Sequence, residues 1–195
     1  MTSSPLPTAR VGRTALRVTR LGLGTVPIGG SLGAVSEVQA IDTVRAALDA
    51  GVTLIDTAPL YGVGRSERLL GEALAGVPRE RYVLSTKVGR LLEPDGSWRF
   101  DFSRDAALRS LDSSLGRLKL DRVDIVLVHD PDDHQQGALA GAFPALAELR
   151  AQGVIGAIGA GMNQWQMEEH IARNVDVDCF LLAGLLREDA PTPGA

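Results

Sequence analysis

Val52-Thr53-Leu54-Ile55-Asp56-Thr57-Ala58-Pro59-Leu60-Tyr61-Gly62 is the stretch on which the reading of this chain turns. Its first half is a short run of β-branched and aliphatic residues, the composition of a buried strand. Its second half, with Pro59 and Gly62, reads as an exposed turn. The strand delivers a carboxylate, Asp56, at its C-terminal end, and the turn presents a phenol, Tyr61. Two further strand ends downstream supply Lys87 and His129. An acid, a base and a charge partner thus arrive from different strands.

Outward from this stretch, strand and helix signals alternate. Upstream, Ser36-Glu37-Val38-Gln39 forms a capping box. Val38, Ile41, Val44, Ala47 and Leu48 follow at helical spacing, and Gly51 closes that helix. Downstream, a helix starts near Ser66-Glu67, buries Leu69, Leu70 and Leu74, and exits at Pro78. Residues 82–86 form a strand that ends at Lys87, and a polar loop with Gly89, Pro94 and Gly96 leads to Ser103. That serine caps a helix with Ala107, Leu108, Leu111, Leu115 and Leu118 on one face. Residues 123–128 are nearly all apolar, as in parallel strands buried on both faces. They run into His129-Asp130-Pro131. The spacing predicts a helix over 142–152 with Pro144 in its first turn, stopped by Gly153. A strand over 155–160, a helix over 163–173 and a strand over 177–182 complete the series. Near the N-terminus, residues 10–19 alternate around Gly12-Arg13-Thr14 as a β-hairpin, and residues 21–25 form a short strand. The glycines of that strand invite a dinucleotide fingerprint, but Pro27 stands where the third glycine is needed and no helix opens there.

The chain has 195 residues, 45% hydrophobic and 23% charged, with a net charge of −4. That is ample for one core and ordinary for a soluble globular protein. No basic stripe marks a nucleic-acid partner. No apolar run approaches the ~20 residues that span a bilayer. The single Cys179 excludes an internal disulfide framework and fits a reducing, cytoplasmic setting; a buried, inert thiol is the expectation. His134 and His170 are expected to face solvent, with no metal-ligand spacing to Cys179, so no metal is expected. Residues 1–9 read as a disordered polar lead and 185–195, rich in Pro, Gly and Ala, as a divergent tail.

A hairpin followed by about six strand–helix units means an α/β fold with parallel pairing and right-handed crossovers. An open doubly wound sheet and a closed barrel both fit. Polar candidates at the C-terminal ends of several strands favour the barrel; an open sheet would concentrate its ligand groups at one switch point. Asp56 alone also reads as a turn residue, Tyr61 as a loop aromatic, Lys87 as a solvated strand end, and His129 as a hydrogen-bonded core histidine.

Asp56-Thr57-Ala58-x-x-Tyr61-Gly62 with Ser66-Glu67, Ser85-Thr86-Lys87 and Val128-His129 resemble the signatures of the aldo-keto reductases, a (β/α)8 TIM-barrel family that uses a nicotinamide cofactor. The stretches 100–105, 123–127 and 129–131, with 178–184, look closest to its aldose-dehydrogenase and pyridoxal-dehydrogenase branch. The likeness covers residues 10 to 184. A complete barrel of this type takes ~250 residues, so the chain resembles an incomplete barrel whose last quarter is absent. The resemblance implies catalytic roles for Asp56, Tyr61, Lys87 and His129. It implies cofactor contacts at Gly24, Thr25, Asp56 and Asn163, and hydride exchange between NADP or NAD and an aldose-like or small aldehyde or alcohol substrate. Asn163-x-x-Gln166 also reads as a helix cap. Met162 is expected to shape the pocket wall. Trp98 reads either as a substrate-facing aromatic or as a loop-packing one.

Free tyrosine has a pKa near ~10, too high for an efficient base at neutral pH, and a nearby ammonium is expected to lower that value. Lys87, held by Asp56, is the candidate; His129 would orient the substrate oxygen. A competing reading is an inactive remnant whose open barrel edges drive self-association or need a partner chain.

Overall fold

The protein is described by a computed structural model covering residues 5–183; the tail expected over 185–195 lies outside the described residues. β1 (Thr8–Arg10) and β2 (Arg17–Thr19) form the expected antiparallel hairpin. It begins two residues inside the stretch read as a disordered lead, because Thr8 pairs with Thr19. β3 (Gly22–Gly24) leads to α1 (Glu37–Asp49), whose Ser36/Gln39 capping box is formed on both arms. At its far end Gly51 and Val52 donate back to Leu48 and Ala47, a closure that needs the left-handed backbone glycine tolerates. β4 (Leu54–Asp56), α2 (Arg65–Leu74) and β5 (Val83–Val88) follow.

The stretch expected to be a loop after Lys87 is instead a second hairpin, β6 (Arg90–Leu92) with β7 (Trp98–Phe100). Next come α3 (Arg104–Leu118), capped by Ser103 as expected, and β8 (Ile125–His129). The expected helix at 142–152 also starts earlier. A single turn, α4 (Gln135–Gly137), passes through a wide π turn over Ala138–Ala142 into α5 (Phe143–Ala151). Pro144 lacks an N–H and crowds the carbonyl four residues back; the wide turn ahead of it gives that carbonyl room. β9 (Ala157–Met162), α6 (Trp165–Asn174) and β10 (Cys179–Leu182) complete the described fold. No helix among the described residues is long and apolar enough to cross a membrane.

Six strands pair in parallel in the order β10-β9-β8-β5-β4-β3. Spatial order follows chain order without reversal. A doubly wound sheet must reverse at a switch point, so this is the barrel's winding: a curled half-barrel with its helices on one face.

Alternation along each strand separates two cores. Ile55, Leu84, Val126, Val128 and Ile158 point outward into the layer beneath the helices. Ile125, Leu127 and Ala157 point inward and meet Val11 and Val18 of the hairpin, which floors the half-barrel.

One local device recurs at that floor. Asp124, just before β8, accepts from the Leu84 N–H of β5 (2.7 Å) and from Arg79 (2.6 Å). Asp178, just before β10, accepts from the Ile158 N–H of β9 (2.9 Å) and from Arg150 (2.7 Å). Thr53, just before β4, accepts from the Thr19 N–H (2.9 Å). Each satisfies a backbone donor of the preceding segment and so fixes where the next strand enters. Asp178→Ala strands the Ile158 N–H and leaves Arg150 only its Asp176 partner (2.8 Å). Its unfolding midpoint in urea should report a loss of about 1–3 kcal/mol, larger than for Asp178→Asn, which keeps an acceptor. Equal losses would refute the role given to the Asp178 charge.

Candidate active site

Asp56 ends β4, Lys87 lies near the end of β5 and His129 ends β8. In each strand the residue shares its face with inward-pointing Leu54, Val83 and Leu127 respectively. The three side chains therefore enter the half-barrel at its C-terminal rim, opposite the hairpin.

Lys87 is 1% exposed. A charge so enclosed must be paired and hydrogen-bonded. Its Nζ donates to Asp56 Oδ2 (2.6 Å) and to the Thr57 carbonyl (2.8 Å). A third side is the face of Tyr61, whose ring centroid lies 4.8 Å from Nζ. Tyr61 meets His129 edge to face, with centroids 6.2 Å apart and planes at 88°. The four residues singled out in the sequence are thus brought together.

The loop that carries Tyr61 is set by backbone contact. Gly62, at φ +64°, lies so close to Gly29 that a Cβ on it would sit 2.1 Å from the Gly29 carbonyl oxygen. Thr25 Oγ1 donates to the Asp56 carbonyl (2.9 Å), and Ser66 Oγ donates to Thr25 Oγ1 (2.8 Å). On the outer side, fully buried Glu67 accepts from Thr86 Oγ1 and from Arg117 Nε, each at 2.7 Å. These bonds tie β3, β4, β5 and α2 into one frame behind the lysine.

Burial pushes the Tyr61 phenol above its ordinary value, with Asp56 adding to the rise and Lys87 pulling against it. The expected lowering is therefore corrected: desolvation of the phenolate outweighs the ammonium. His129 is lowered to about 3, first by burial, then by the Lys87 and Arg90 charges. A neutral phenol and a neutral imidazole flank the ammonium. Asp56 Oδ1, Ser85 Oγ and His129 Nδ1 are enclosed without a partner among the described residues. Asp56 and Ser85 border an inner cavity of about 310 Å³.

The other candidates are placed differently. Gly24 is exposed at the end of β3, with open space where a side chain would be. Thr25 is fully buried and its hydroxyl is committed to Asp56 and Ser66, so it braces the strand end. Asn163 is exposed just past β9 and does not cap α6, whose N-cap position is Gln164. Met162 is not a pocket wall. β9 runs two residues past the expected strand, and the alternation turns Met162 outward into the core beneath the helices. Trp98, 41% exposed, stands on β7 over the Arg90 guanidinium, 5.0 Å from its ring centroid. His134 is exposed, as expected, but packs tilted against Phe100, with centroids 4.6 Å apart and planes at 40°, beside an open hollow of about 840 Å³. Burial pushes the Cys179 thiol up to about 12, as expected of an inert thiol. Arg90 and Asp130 were not singled out in the sequence. They pair with each other beside His129, and only the left-handed turn at Asp130 and the second hairpin bring them there.

Residues 20–180 match the family model described as the aldo/keto reductase family. A pyridoxal 4-dehydrogenase from Microbacterium luteolum is 42% identical over 89% of this chain and 60% of its own length. A D-threo-aldose 1-dehydrogenase from a Pseudomonas species is 38% identical over 91% of this chain and 61% of its own. The holo form of an aldo-keto reductase from Bacillus halodurans superposes with a TM-score of 0.77 at 27% identity, covering 91% of this chain and 57% of that one. The chain thus spans about 60% of the length of these two curated relatives.

Folded His129 refuses a proton down to about pH 3, whereas an unfolded imidazole takes one near ~6.5. Between those values the unfolded state binds more protons, so stability should fall as pH drops through the window and be whole above it. Urea midpoints of the parent and of His129→Asn, followed from pH 7 to 4, should diverge in slope, with the variant flatter. Parallel curves would rule out a buried neutral imidazole at this position.

Proposed function

The chain belongs to the aldo/keto reductase family, and on that premise we propose that it takes part in hydride exchange between a nicotinamide cofactor, NADP or NAD, and an aldose-like or small aldehyde or alcohol substrate. The observation that carries this reading is the convergence of Tyr61, Lys87, Asp56 and His129 at one rim. The names of the two relatives, one for pyridoxal and one for an aldose, support the substrate class.

The residues present fit the nicotinamide end of such a cofactor. Asn163 offers a carboxamide that can both donate and accept. Gly24 leaves its strand end open. Their strands, β9 and β3, flank β8, β5 and β4 in the sheet. When bound, the nicotinamide supplies or accepts the hydride.

The protein's part is to handle the proton and the oxygen. The phenol, held protonated by burial, gives its proton to the substrate oxygen as a carbonyl is reduced. Lys87 stabilises the phenolate left behind, and Asp56 keeps that ammonium aimed at the ring. The neutral His129 donates a hydrogen bond to the same oxygen and fixes its approach. In the oxidising direction Tyr61 takes the proton back.

A second reading, association of the chain with itself, draws on one observation. Among the described residues β3 and β10 each pair on one side only, and open edges recruit strands.

Purified chain with NADPH or NADH and a panel of aldoses and small aldehydes should change absorbance at the reduced-nicotinamide band. Tyr61→Phe should slow that change by roughly 10²–10⁴, the range for losing a positioned acid, while cofactor fluorescence still reports binding. A phenylalanine variant as fast as the parent would exclude Tyr61 as the proton donor. A mass that grows with concentration in the absence of turnover would favour the second reading.

A further inference from the structure

We propose that Arg90 is a positioning residue for His129: by holding the Asp130 carboxylate, it keeps the imidazole Nε2 unclaimed and available to a substrate oxygen. This rests on the role read for His129 above, but its test observes the imidazole itself.

The geometry begins with Asp130. It follows His129 directly and adopts φ +46°, where side chains other than glycine seldom sit. Its N–H donates to the Gly161 carbonyl (2.9 Å), which continues the β8–β9 pairing and holds the turn in place. The turn folds the carboxylate back along the histidine. Asp130 Oδ2 lies 3.6 Å from His129 Nε2, close but beyond a hydrogen bond. The same oxygen accepts from Arg90 Nη2.

Arg90 is held in that direction. It opens β6, and its guanidinium carbon lies 5.0 Å from the Trp98 ring centroid and 4.9 Å from that of Phe100. A planar cation held against two rings has few orientations to choose from. The two partners are partly shielded from solvent, at 19% and 18% side-chain exposure, so the pair is less screened than a surface contact.

An Asp130 without Arg90 has a near alternative. A small rotation brings its carboxylate onto His129 Nε2. There it would occupy the nitrogen that must meet substrate, and it would favour the imidazolium. Among the described residues no hydrogen bond on the far side of the ring resists this, because His129 Nδ1 is enclosed without a partner there. The charged and titratable groups facing the imidazole are Lys87 from β5, Tyr61 from the loop after β4, Arg90 from β6 and Asp130 of its own turn, with Asp56 of β4 behind Lys87. Burial and the Lys87 and Arg90 charges press the ring toward its neutral form. Arg90 therefore acts twice, once as a charge and once by occupying the Asp130 carboxylate beside Nε2.

The test is nitrogen NMR of the full chain labelled with ¹⁵N-histidine, titrated from pH 4 to 8 without cofactor or substrate. In Arg90→Gln the His129 midpoint should rise from about 3 toward the ordinary ~6.5, and the Nε2 signal should shift as the Asp130 carboxylate moves onto it. In Asp130→Asn the His129 tautomer should stay as in the parent, because the paired carboxylate does not hold the ring. A folded Arg90→Gln protein with unchanged His129 signals would overturn the proposal and leave Arg90 as a packing residue of the hairpin. A shifted tautomer in Asp130→Asn would overturn it from the other side, because Asp130 would then already be bound to the ring. That second arm keeps the proposal refutable even if Arg90→Gln does not fold. Neither arm depends on turnover, so the role of Arg90 is tested even in a chain inactive toward every aldose tried.

Discussion

An ammonium enclosed at the end of a parallel strand is the constraint to which the surrounding structure answers. Lys87 has almost no contact with water, so its charge must be met from within. A carboxylate and a carbonyl from β4 meet it on one side and an aromatic face on another. Those groups are then fixed by others with no chemistry of their own. Thr25 and Ser66 hold the backbone of Asp56, and the Gly29–Gly62 contact sets the loop of Tyr61. Glu67 braces the other side of β5 through Thr86. The site is thus the inner surface of a frame whose outer surface is an ordinary apolar core.

The division between those surfaces comes from strand alternation alone. Along β8, Ile125, Leu127 and His129 face in while Val126 and Val128 face out. A single register thereby puts a hydrophobic plug near the hairpin and a polar cluster at the opposite end.

Much of this was legible in the sequence because the signals are local. Ser36 with Gln39, Gly51 and Gly153 mark helix ends through nearest-neighbour chemistry, and they do so in the structure. Asp56, Lys87 and His129 stood out because polar residues ended apolar runs. What stayed hidden depends on contacts between distant segments. The hairpin β6–β7 looked like a loop because Pro94 and Gly96 dominate so short a stretch. Its pairing is supported by Arg99 to Glu93 and by Arg90 to Asp130, forty residues apart. Met162 was misplaced by strand length, since two extra residues of β9 decide which face it takes. The phenol of Tyr61 was expected to be more acidic because its ammonium neighbour is readable from motif spacing, while the burial that outweighs it is not. Arg90 and Asp130 meet through a left-handed turn that no composition announces.

The side chains placed just ahead of β4, β8 and β10 have a consequence for how such a sheet can change. Each clasps an earlier segment, Asp124 and Asp178 the neighbouring strand and Thr53 the hairpin strand β2, so alignment is set against segments already laid down and does not wait on closure of the whole ring. A sheet built this way behaves as a nearly one-dimensional array. Units can then be gained, lost or exchanged at either end without disturbing the pairing of those in the middle, where the lysine sits.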